Sequence, residues 1–267
     1  MEWESGLLLG LGGYILIVSV LHLLFPEPHL DWSKVNLENI TMPDDFVWGV
    51  ATASHQIEGD NTNNWTQFEQ REGKQQSGKA CDHWNLWAKD HELLSQLGVN
   101  SYRFSIEWSR IEPVQGGWNE AAIEIYSQMI DSLIAKGIEP MITLHHFSHP
   151  VWFEELGGFY HRENLVYFQN YCKKLFPYFS DRVKKWCTVN EPDVFSIMGY
   201  HMGMFPPGQR SPFKAIRVMK NVMIAHGEVY HQLKEMSPES YIGLAKNVTI
   251  FDPYRRWNLL HWLTSFA

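Results

Sequence analysis

Short apolar runs and longer amphipathic segments alternate along the chain from residue 46 onward. The apolar runs have strand length and lie at residues 46–53, 99–106, 138–144, 183–189 and 241–247. The amphipathic segments have helical periodicity and lie at residues 83–97, 120–136, 163–179 and 213–236. Because strands joined by right-handed helical crossovers run parallel, this alternation predicts a parallel sheet covered by helices, either doubly wound or closed into a barrel.

Segment 120–136 shows the helical period most clearly. Its apolar residues form one stripe of the kind that packs on a sheet, and they are Ile123, Tyr126, Ile130, Leu133 and Ile134. Gly98 and Gly137 follow two of the predicted helices and are expected to stop them. Residues 46–53 are a continuous apolar run bounded by polar residues, which predicts a buried strand.

The N-terminal segment differs from the rest of the chain. Leu7 to Phe25 contains nineteen residues without an Asp, Glu, Lys or Arg, just enough for a helix to cross a hydrocarbon core of roughly 30 Å. This predicts a single membrane anchor, with the lipid bilayer as a partner. A cleaved signal peptide is the alternative, although the leader Met1–Ser5 is acidic and no small-residue cleavage pattern follows. A misassigned start codon is the third possibility.

The predicted organisation has three parts. A hydrophobic segment occupies residues 1–25, a polar, proline-punctuated linker follows at 26–42, and one main domain fills 43–267. We expect the protein at a membrane, or exported if the first segment is cleaved. Three N-x-[ST] sequons, at Asn39, Asn64 and Asn247, fit an exported chain but do not decide the compartment.

Composition removes several classes of function. The chain has 22 Lys and Arg against 30 Asp and Glu, a formal net charge of -8, which disfavours nucleic acid as a partner because phosphate binding needs clustered cations. Three cysteines without a C-x-x-C pair exclude a dense disulfide framework and a cysteine-based zinc site. No G-x-G-x-x-G follows the first predicted strand, so a dinucleotide-binding site loses its main support.

Polar residues follow the predicted strands, where parallel α/β proteins carry their functional groups. The segments after the first four strands are Ser54–Gly59, Glu107–Arg110, His145–His149 and Asn190–Pro192. The longer segments FVWGVATASHQIEG, YRFSIEWSRIEP, TLHHFSHPVWFEELGGF and CTVNEP, in this order, resemble family 1 of the glycoside hydrolases, the family of β-glucosidases and β-galactosidases. The resemblance covers roughly Pro43 to the C-terminus.

This resemblance implies a (β/α)8 barrel of which the chain would hold about the first five βα units. It also implies hydrolysis of β-linked glycosides with retention, by two carboxylates, without a metal or cofactor. One carboxylic acid protonates the leaving oxygen while the second carboxylate attacks or stabilises the anomeric carbon. Glu191 is the candidate general acid/base. It follows Asn190, whose amide can bond a sugar hydroxyl beside the reacting carbon.

Three further residues match substrate-binding or supporting positions of the family. Gln56 offers the donor and the acceptor needed to grip two adjacent sugar hydroxyls, and His146 matches the family's sugar-binding histidine. Arg103 matches the arginine that pairs with the nucleophile and keeps it ionised. His145 and His149 flank His146 and could suggest a metal, but in an extended segment they face away from it, so three ligands do not converge.

Other residues near the strand ends are open to two interpretations. Trp108 and Trp152 could present apolar surface to a sugar or simply fill the core. Glu58 and Glu107 are acidic, yet the family pattern gives neither of them the role of second carboxylate. This chain has Phe147 and Ser148 where the family more commonly has Trp and Asp. The residues that support the His146 side chain are therefore expected to differ from those usual in the family.

The family's nucleophile lies in a T/S-E-N-G-like segment late in the barrel, and the sequence contains no such segment. We therefore expect an incomplete barrel whose isolated chain is inactive, and the resemblance leaves room for a second chain that completes it. The alternative is a membrane-anchored sugar-binding protein without catalytic activity, which retains Gln56, His146 and Asn190. In the family, the residues that select among glucose, galactose and a phosphorylated sugar also lie late in the barrel.

Overall fold

The computed structural model describes residues 2–24, 31–34, 36, 41–248, 252 and 260–261. These form two compact units, one from residues 1–44 with 248–267 and the other from residues 45–247. In the first unit, helix α1 spans Glu2–Leu24 and a 3-10 turn spans Trp32–Lys34. Phe25, Asn39 and most of the predicted linker lie outside the described residues.

The membrane anchor predicted over residues 7–25 is not supported. Among the residues that the structure describes, no helix is long and apolar enough to cross a membrane. The cellular compartment stays a prediction.

The second unit is built on a five-stranded parallel sheet. Its strands are β1 (Gly49–Ala51), β2 (Ser101–Ser105), β3 (Glu139–His145), β4 (Lys185–Asn190) and β5 (Tyr241–Ala245). Neighbours in space are neighbours in sequence, in the order β1-β2-β3-β4-β5, and every pair is parallel. All carboxyl ends therefore lie along one edge of the sheet, as the strand and helix alternation predicts.

Helices connect the strands. In chain order they are α2 (Ser54–Ile57), α3 (Asn64–Arg71), α4 (His83–Leu97), α5 (Trp108–Ile111), α6 (Glu120–Ala135), α7 (Val151–Glu155), α8 (Leu165–Leu175), α9 (Pro192–Tyr200) and α10 (Pro212–Met236). Helix α4 has the predicted bounds, and Gly98 ends it with φ of 76°. Gly137 follows α6 with φ of 72°. Both angles lie in the left-handed region that glycine adopts at helix ends.

The core lies between the sheet and its helices. Ile142 and Leu144 of β3 and Val189 of β4 are fully buried, and Trp186 of β4 is 1% exposed. Most residues of the apolar stripe predicted for α6 are buried in this core. Ile134 is an exception, because it is 43% exposed, and its predicted place in the stripe is wrong. Ile134 lies at the edge of the stripe, and Met129 on the opposite edge is buried instead.

The buried strand predicted over residues 46–53 is mostly wrong. Only Gly49–Ala51 pairs with β2, and the aromatic and aliphatic residues before it are 38% to 53% exposed, namely Phe46, Val47 and Trp48. Among the described strands, β1 has a neighbour on one side only. The residues just before β1 therefore lack contacts with a second neighbouring strand, and such contacts bury the central strands.

Candidate active site

Glu191 stands at a sharp turn between the end of β4 and the start of α9. Its backbone is left-handed, with φ of 44° and ψ of 66°, and Pro192 begins the helix immediately after it. The Glu191 N–H donates to the Ala245 carbonyl at 2.7 Å, which fixes the turn against β5. A non-glycine residue in this region costs about 1–3 kcal/mol, and such strain clusters at functional sites. The side chain of Glu191 is thereby placed at the carboxyl edge of the sheet.

Asn190 is the last residue of β4 and is tied to β2. Its side chain is 3% exposed, and its Oδ1 accepts a hydrogen bond from Nη1 of Arg103 at 3.0 Å. A charged donor of this kind makes a stronger bond than a neutral one. Because the bond occupies the amide oxygen, the amide NH2 of Asn190 is left to donate to another group.

His146 follows β3 and is half-buried. Burial, followed by the positive charge of Arg103, lowers the pKa of His146 to about 4. The imidazole is therefore neutral near pH 7, with one donor and one acceptor nitrogen. Its Nδ1 is buried without a hydrogen-bond partner among the described residues, a state that usually has an explanation in function or in bound water. The ring thus has a hydrogen-bonding nitrogen that is not used within the described part of the chain, and the residue lines a cleft.

Gln56 and His146 line the same cleft, of about 370 Å³. The other lining residues are Ala53, His55, Trp65, Glu69, Ser77, Ala80 and Phe147. Gln56 lies on α2 and is exposed, so its amide is accessible from solvent. The structure thus brings residues that follow β1 and β3 to one cleft, while Arg103 joins β2 to β4 beside them.

One wall of the cleft is fixed through the backbone of Phe147. Its carbonyl accepts hydrogen bonds from Asn64 Nδ2 at 3.1 Å and from Trp65 Nε1 at 3.0 Å, and its φ of 69° is left-handed. Asn64 is 1% exposed, so this sequon has no free side chain to carry a glycan. These two bonds are made to the backbone, so they do not depend on the side chain at position 147.

The other wall contains a histidine and a glutamate that the sequence did not single out. Asn63 Oδ1 accepts from the N–H groups of Trp65 and Thr66, so its NH2 faces His55 Nδ1 at 3.1 Å. His55 Nε2 then carries the proton and donates to Glu69 at 3.3 Å. His55 also stacks on Trp65, with ring centroids 5.6 Å apart. The position of His55 next to Gln56 was the signal available in the sequence.

Comparison with known proteins agrees with this architecture. The model of glycosyl hydrolase family 1 matches residues 38–259. β-Glucosidase A of Thermotoga maritima is 39% identical over 79% of this chain and 50% of its own length. This chain belongs to glycosyl hydrolase family 1. The cytosolic β-glucosidase of Homo sapiens is 34% identical over 77% of the chain and 47% of its own length. The chain spans about half the length of the curated relatives it matches.

Solved structures of the family have the same fold. A β-glycosidase from Pyrococcus horikoshii superposes with a TM-score of 0.74 at 44% identity, over 80% of this chain and 50% of the other. A β-glucosidase from Exiguobacterium marinum superposes with a TM-score of 0.81 at 33% identity, over 85% of this chain and 54% of the other. The resemblance to family 1 is confirmed. Its members imply a (β/α)8 barrel, and the five parallel strands are consistent with part of one.

The two tryptophans considered as sugar-facing surfaces lie elsewhere. Trp108 is fully buried and stacks on Tyr171 with ring centroids 4.8 Å apart, so it is a core residue and not a sugar platform. Trp152 packs edge-on against Trp108 and donates from Nε1 to the Glu112 carbonyl at 2.9 Å. It does not line the cleft of Gln56 and His146. A strand end alone does not determine which way an aromatic ring faces.

The two other acidic residues at the strand ends are occupied by structural contacts. Glu58 is 3% exposed, accepts from Arg110 Nε at 2.8 Å and from Tyr126 Oη at 2.6 Å, and burial raises its pKa to about 7 despite Arg110. Glu107 is fully buried. Its carboxylate accepts bonds of 2.8 to 2.9 Å from three hydroxyl groups, those of Ser54, Ser109 and Ser148.

His145 and His149 are fully buried and lie together, with His145 Nε2 at 3.3 Å from His149 Nδ1. His149 Nε2 is 2.7 Å from Glu154. Burial, and then the neighbouring His149, lowers the pKa of His145 well below its usual range. Within the part of the chain that the structure describes, no group of three or more potential ligand side chains could hold a metal ion.

Proposed function

We propose that this chain supplies the acid/base half of an active site that hydrolyses β-glycosides, with Glu191 as the general acid/base. The observation that carries the proposal is the strained placement of Glu191 at the carboxyl end of β4, next to a buried amide held by a charged donor. Membership of family 1 supports the reaction class, and relatives named as β-glucosidases support a β-glucoside as substrate.

In the proposed reaction, the carboxylic acid of Glu191 donates a proton to the leaving oxygen of the glycoside. Asn190 would orient the sugar at the reacting end. Its Oδ1 already accepts from Arg103, so its NH2 is the group that can donate to a hydroxyl of the substrate. The guanidinium of Arg103 therefore acts on the substrate through Asn190.

His146 and Gln56 would bind the rest of the sugar. The neutral imidazole of His146 and the exposed amide of Gln56 line one cleft, and each has a donor and an acceptor. Retention of configuration needs a second carboxylate as nucleophile, about 5 to 5.5 Å from the acid. Glu58 and Glu107 are not proposed for it, because their oxygens are already held by Arg110, Tyr126 and serine hydroxyls.

The role of Glu191 is tested with two substrates that differ in leaving group. In a protein whose barrel also supplies the second carboxylate, we expect Glu191→Gln to lower hydrolysis of 4-nitrophenyl β-glucoside by roughly 10²-fold or more, because general acid catalysis contributes about this much. Glycosyl transfer from 2,4-dinitrophenyl β-glucoside should fall far less, since its leaving group needs little protonation. Glu155→Gln, an exposed glutamate of α7, is the matched control. Equal loss on both substrates would contradict the proposed role.

The alternative function is sugar binding without catalysis. It is favoured by the described cleft, which offers sugar-binding groups, while both other buried carboxylates at the strand ends are engaged. Titration with deoxynojirimycin, which has been seen in a complex of a Thermotoga maritima β-glucosidase, separates the two functions when combined with the assay above. Binding that disappears in Gln56→Ala and His146→Ala, without detectable turnover of either glucoside, would favour the alternative.

A further inference from the structure

A second cleft lies between the loop of residues 112–119 and helix α8, and we call it the loop–α8 cleft. It has a volume of about 480 Å³, within the range of roughly 300–1,000 Å³ that small-molecule sites occupy. Its lining residues are Glu112, Gln115, Gly116, Trp118, Tyr167, Asn170, Lys173 and Lys174. None of them lines the cleft of Gln56 and His146, so the two clefts are formed by different residues.

The loop side of this cleft is held rigidly. The Glu112 carboxylate accepts from Trp108 Nε1 at 2.9 Å and from the Gly116 N–H at 2.8 Å. The Glu112 carbonyl accepts from Trp152 Nε1 at 2.9 Å. A tight turn closes the loop, because Gly117 N–H donates to the Val114 carbonyl at 2.8 Å. A preorganised wall of this kind loses little conformational entropy when a ligand binds.

Two aromatic rings line the cleft while remaining partly exposed. Trp118 and Tyr167 both pack against the hydrophobic core, and each keeps part of its surface accessible. Tyr167 is oriented by Trp152, with ring centroids 5.5 Å apart and an edge-on angle of 87°. Rings that are anchored on one side and open on the other give flat apolar surfaces next to water. The C–H face of a sugar ring is a suitable partner for such a surface.

The polar groups of the cleft are available to a ligand. Gln115, Asn170 and Lys173 are exposed, so their polar groups are accessible from solvent. The two amides each provide a donor and an acceptor. Sugar hydroxyls are donors and acceptors at once, so they match this set of groups.

Charges of both signs border the cleft. Lys173 and Lys174 provide cations, whereas Glu112 is a carboxylate that is 5% exposed, and burial raises its pKa. Lys174 is also 3.7 Å from Glu120. A phosphate or carboxylate ligand would be attracted by the lysines but repelled by ionised Glu112. A neutral ligand rich in hydroxyls avoids this conflict.

We propose that the loop–α8 cleft is a second carbohydrate-binding site, which takes a neutral oligosaccharide such as a short β-glucan. Trp118 and Tyr167 pack on the sugar ring, and Gln115 and Asn170 bond its hydroxyls. This site acts independently of the proposed hydrolysis. It would hold a glycan on the surface of the protein while the cleft of Gln56 and His146 binds its own sugar.

The test is calorimetric titration of the full chain with cellotriose, in the presence of deoxynojirimycin to occupy the proposed active site. We expect Trp118→Ala to weaken cellotriose binding by roughly tenfold, about 1.4 kcal/mol, while Trp118→Phe, which keeps a ring, binds within about threefold of the original protein. Asn170→Ala should weaken binding by about threefold. The matched control is Phe213→Ala, which removes an aromatic ring that is 82% exposed and does not line the cleft.

Two results would overturn the proposal. One is cellotriose binding that is unchanged in both Trp118→Ala and Asn170→Ala; because Asn170 is exposed, its variant keeps the test valid even if Trp118→Ala fails to fold. The other is displacement of cellotriose by inorganic phosphate, which would assign the lysines to an anion site. Titration of Trp118→Ala with deoxynojirimycin alone should match the original protein. If deoxynojirimycin fails to bind the original protein while cellotriose binds it and binds Trp118→Ala or Asn170→Ala more weakly, the proposed active site fails and the second site stands.

Discussion

Charged side chains are exposed at the amino ends of the central strands and buried at the carboxyl ends. At the amino ends, Lys185 at the start of β4 lies 2.6 Å from Glu139 at the start of β3, and their side chains are 34% and 45% exposed. At the carboxyl ends, Glu107 just beyond β2 is fully buried and accepts bonds from three serine hydroxyls. Asn190 and His146 are also buried or half-buried there.

This difference shows that the free-energy cost of burying polar groups arises at the carboxyl ends of the strands. Burying a charge is costly unless it is paired and hydrogen-bonded, so the groups at the carboxyl ends need the short helices and serine hydroxyls that surround them. The amino ends need no such support, because water solvates their ion pairs. In barrel enzymes the carboxyl end carries catalysis and the amino end carries stability, and the candidate site of this family 1 chain follows that division.

The largest expected effect comes from breaking the buried network. Glu107→Ala leaves three serine hydroxyls without their acceptor and opens a cavity, which we expect to cost about 3 kcal/mol of unfolding free energy. The matched change Glu139→Ala at the amino end should cost less than about 1 kcal/mol. Urea unfolding followed by circular dichroism measures both. Equal losses would show that the two ends do not differ in this way.

A smaller effect is the pH dependence of the unfolding free energy that His146 causes at the carboxyl ends. Burial and Arg103 lower the pKa of His146 to about 4, whereas an unfolded histidine titrates near 6.5. Between these values the unfolded chain binds the proton and the folded chain does not, so stability falls as the pH drops from about 6.5 to 4. For this group alone we expect a loss of about 2 kcal/mol between pH 7 and about 4.5.

The measurement is the difference in unfolding free energy between the original protein and His146→Asn at both pH values. This difference removes the contributions of other groups, including that of Glu58. Burial raises the pKa of Glu58 to about 7, so its effect has the opposite sign, with stability falling as the pH rises from about 4.5 to 7. If the unfolding free energy of both proteins falls by the same amount in acid, His146 is not the cause of the fall.

The sequence predicted periodic elements better than it predicted side-chain environments. Helix α4 has its predicted bounds because fifteen residues of continuous periodicity end at a glycine. The polar segments of the candidate site could also be located, since each of them follows an apolar run of strand length. Trp108, however, was open to a sugar-facing interpretation, and its full burial and its stacking against Tyr171 show it to be core.

Two other residues show why such environments are hard to predict. Asn64 matches a glycosylation sequon, yet its side chain bonds the Phe147 carbonyl, 83 residues away in sequence. His55 receives its role from Asn63 and Glu69, which are placed by the cap and the first turns of α3. Contacts between distant segments decide these roles, and a local pattern carries no information about them.

The smallest expected effect lies at the amino ends themselves. Lys185→Ala removes the ion pair with Glu139, and we expect it to cost less than about 1 kcal/mol because both side chains are solvated. A double-mutant cycle with Glu139→Ala isolates the coupling energy of the pair. That coupling should shrink further in about 1 M salt, where the screening length is about 3 Å. A coupling energy above about 2 kcal/mol that resists salt would mean that the amino ends hold a buried network like that of Glu107, and the contrast between the two ends would disappear.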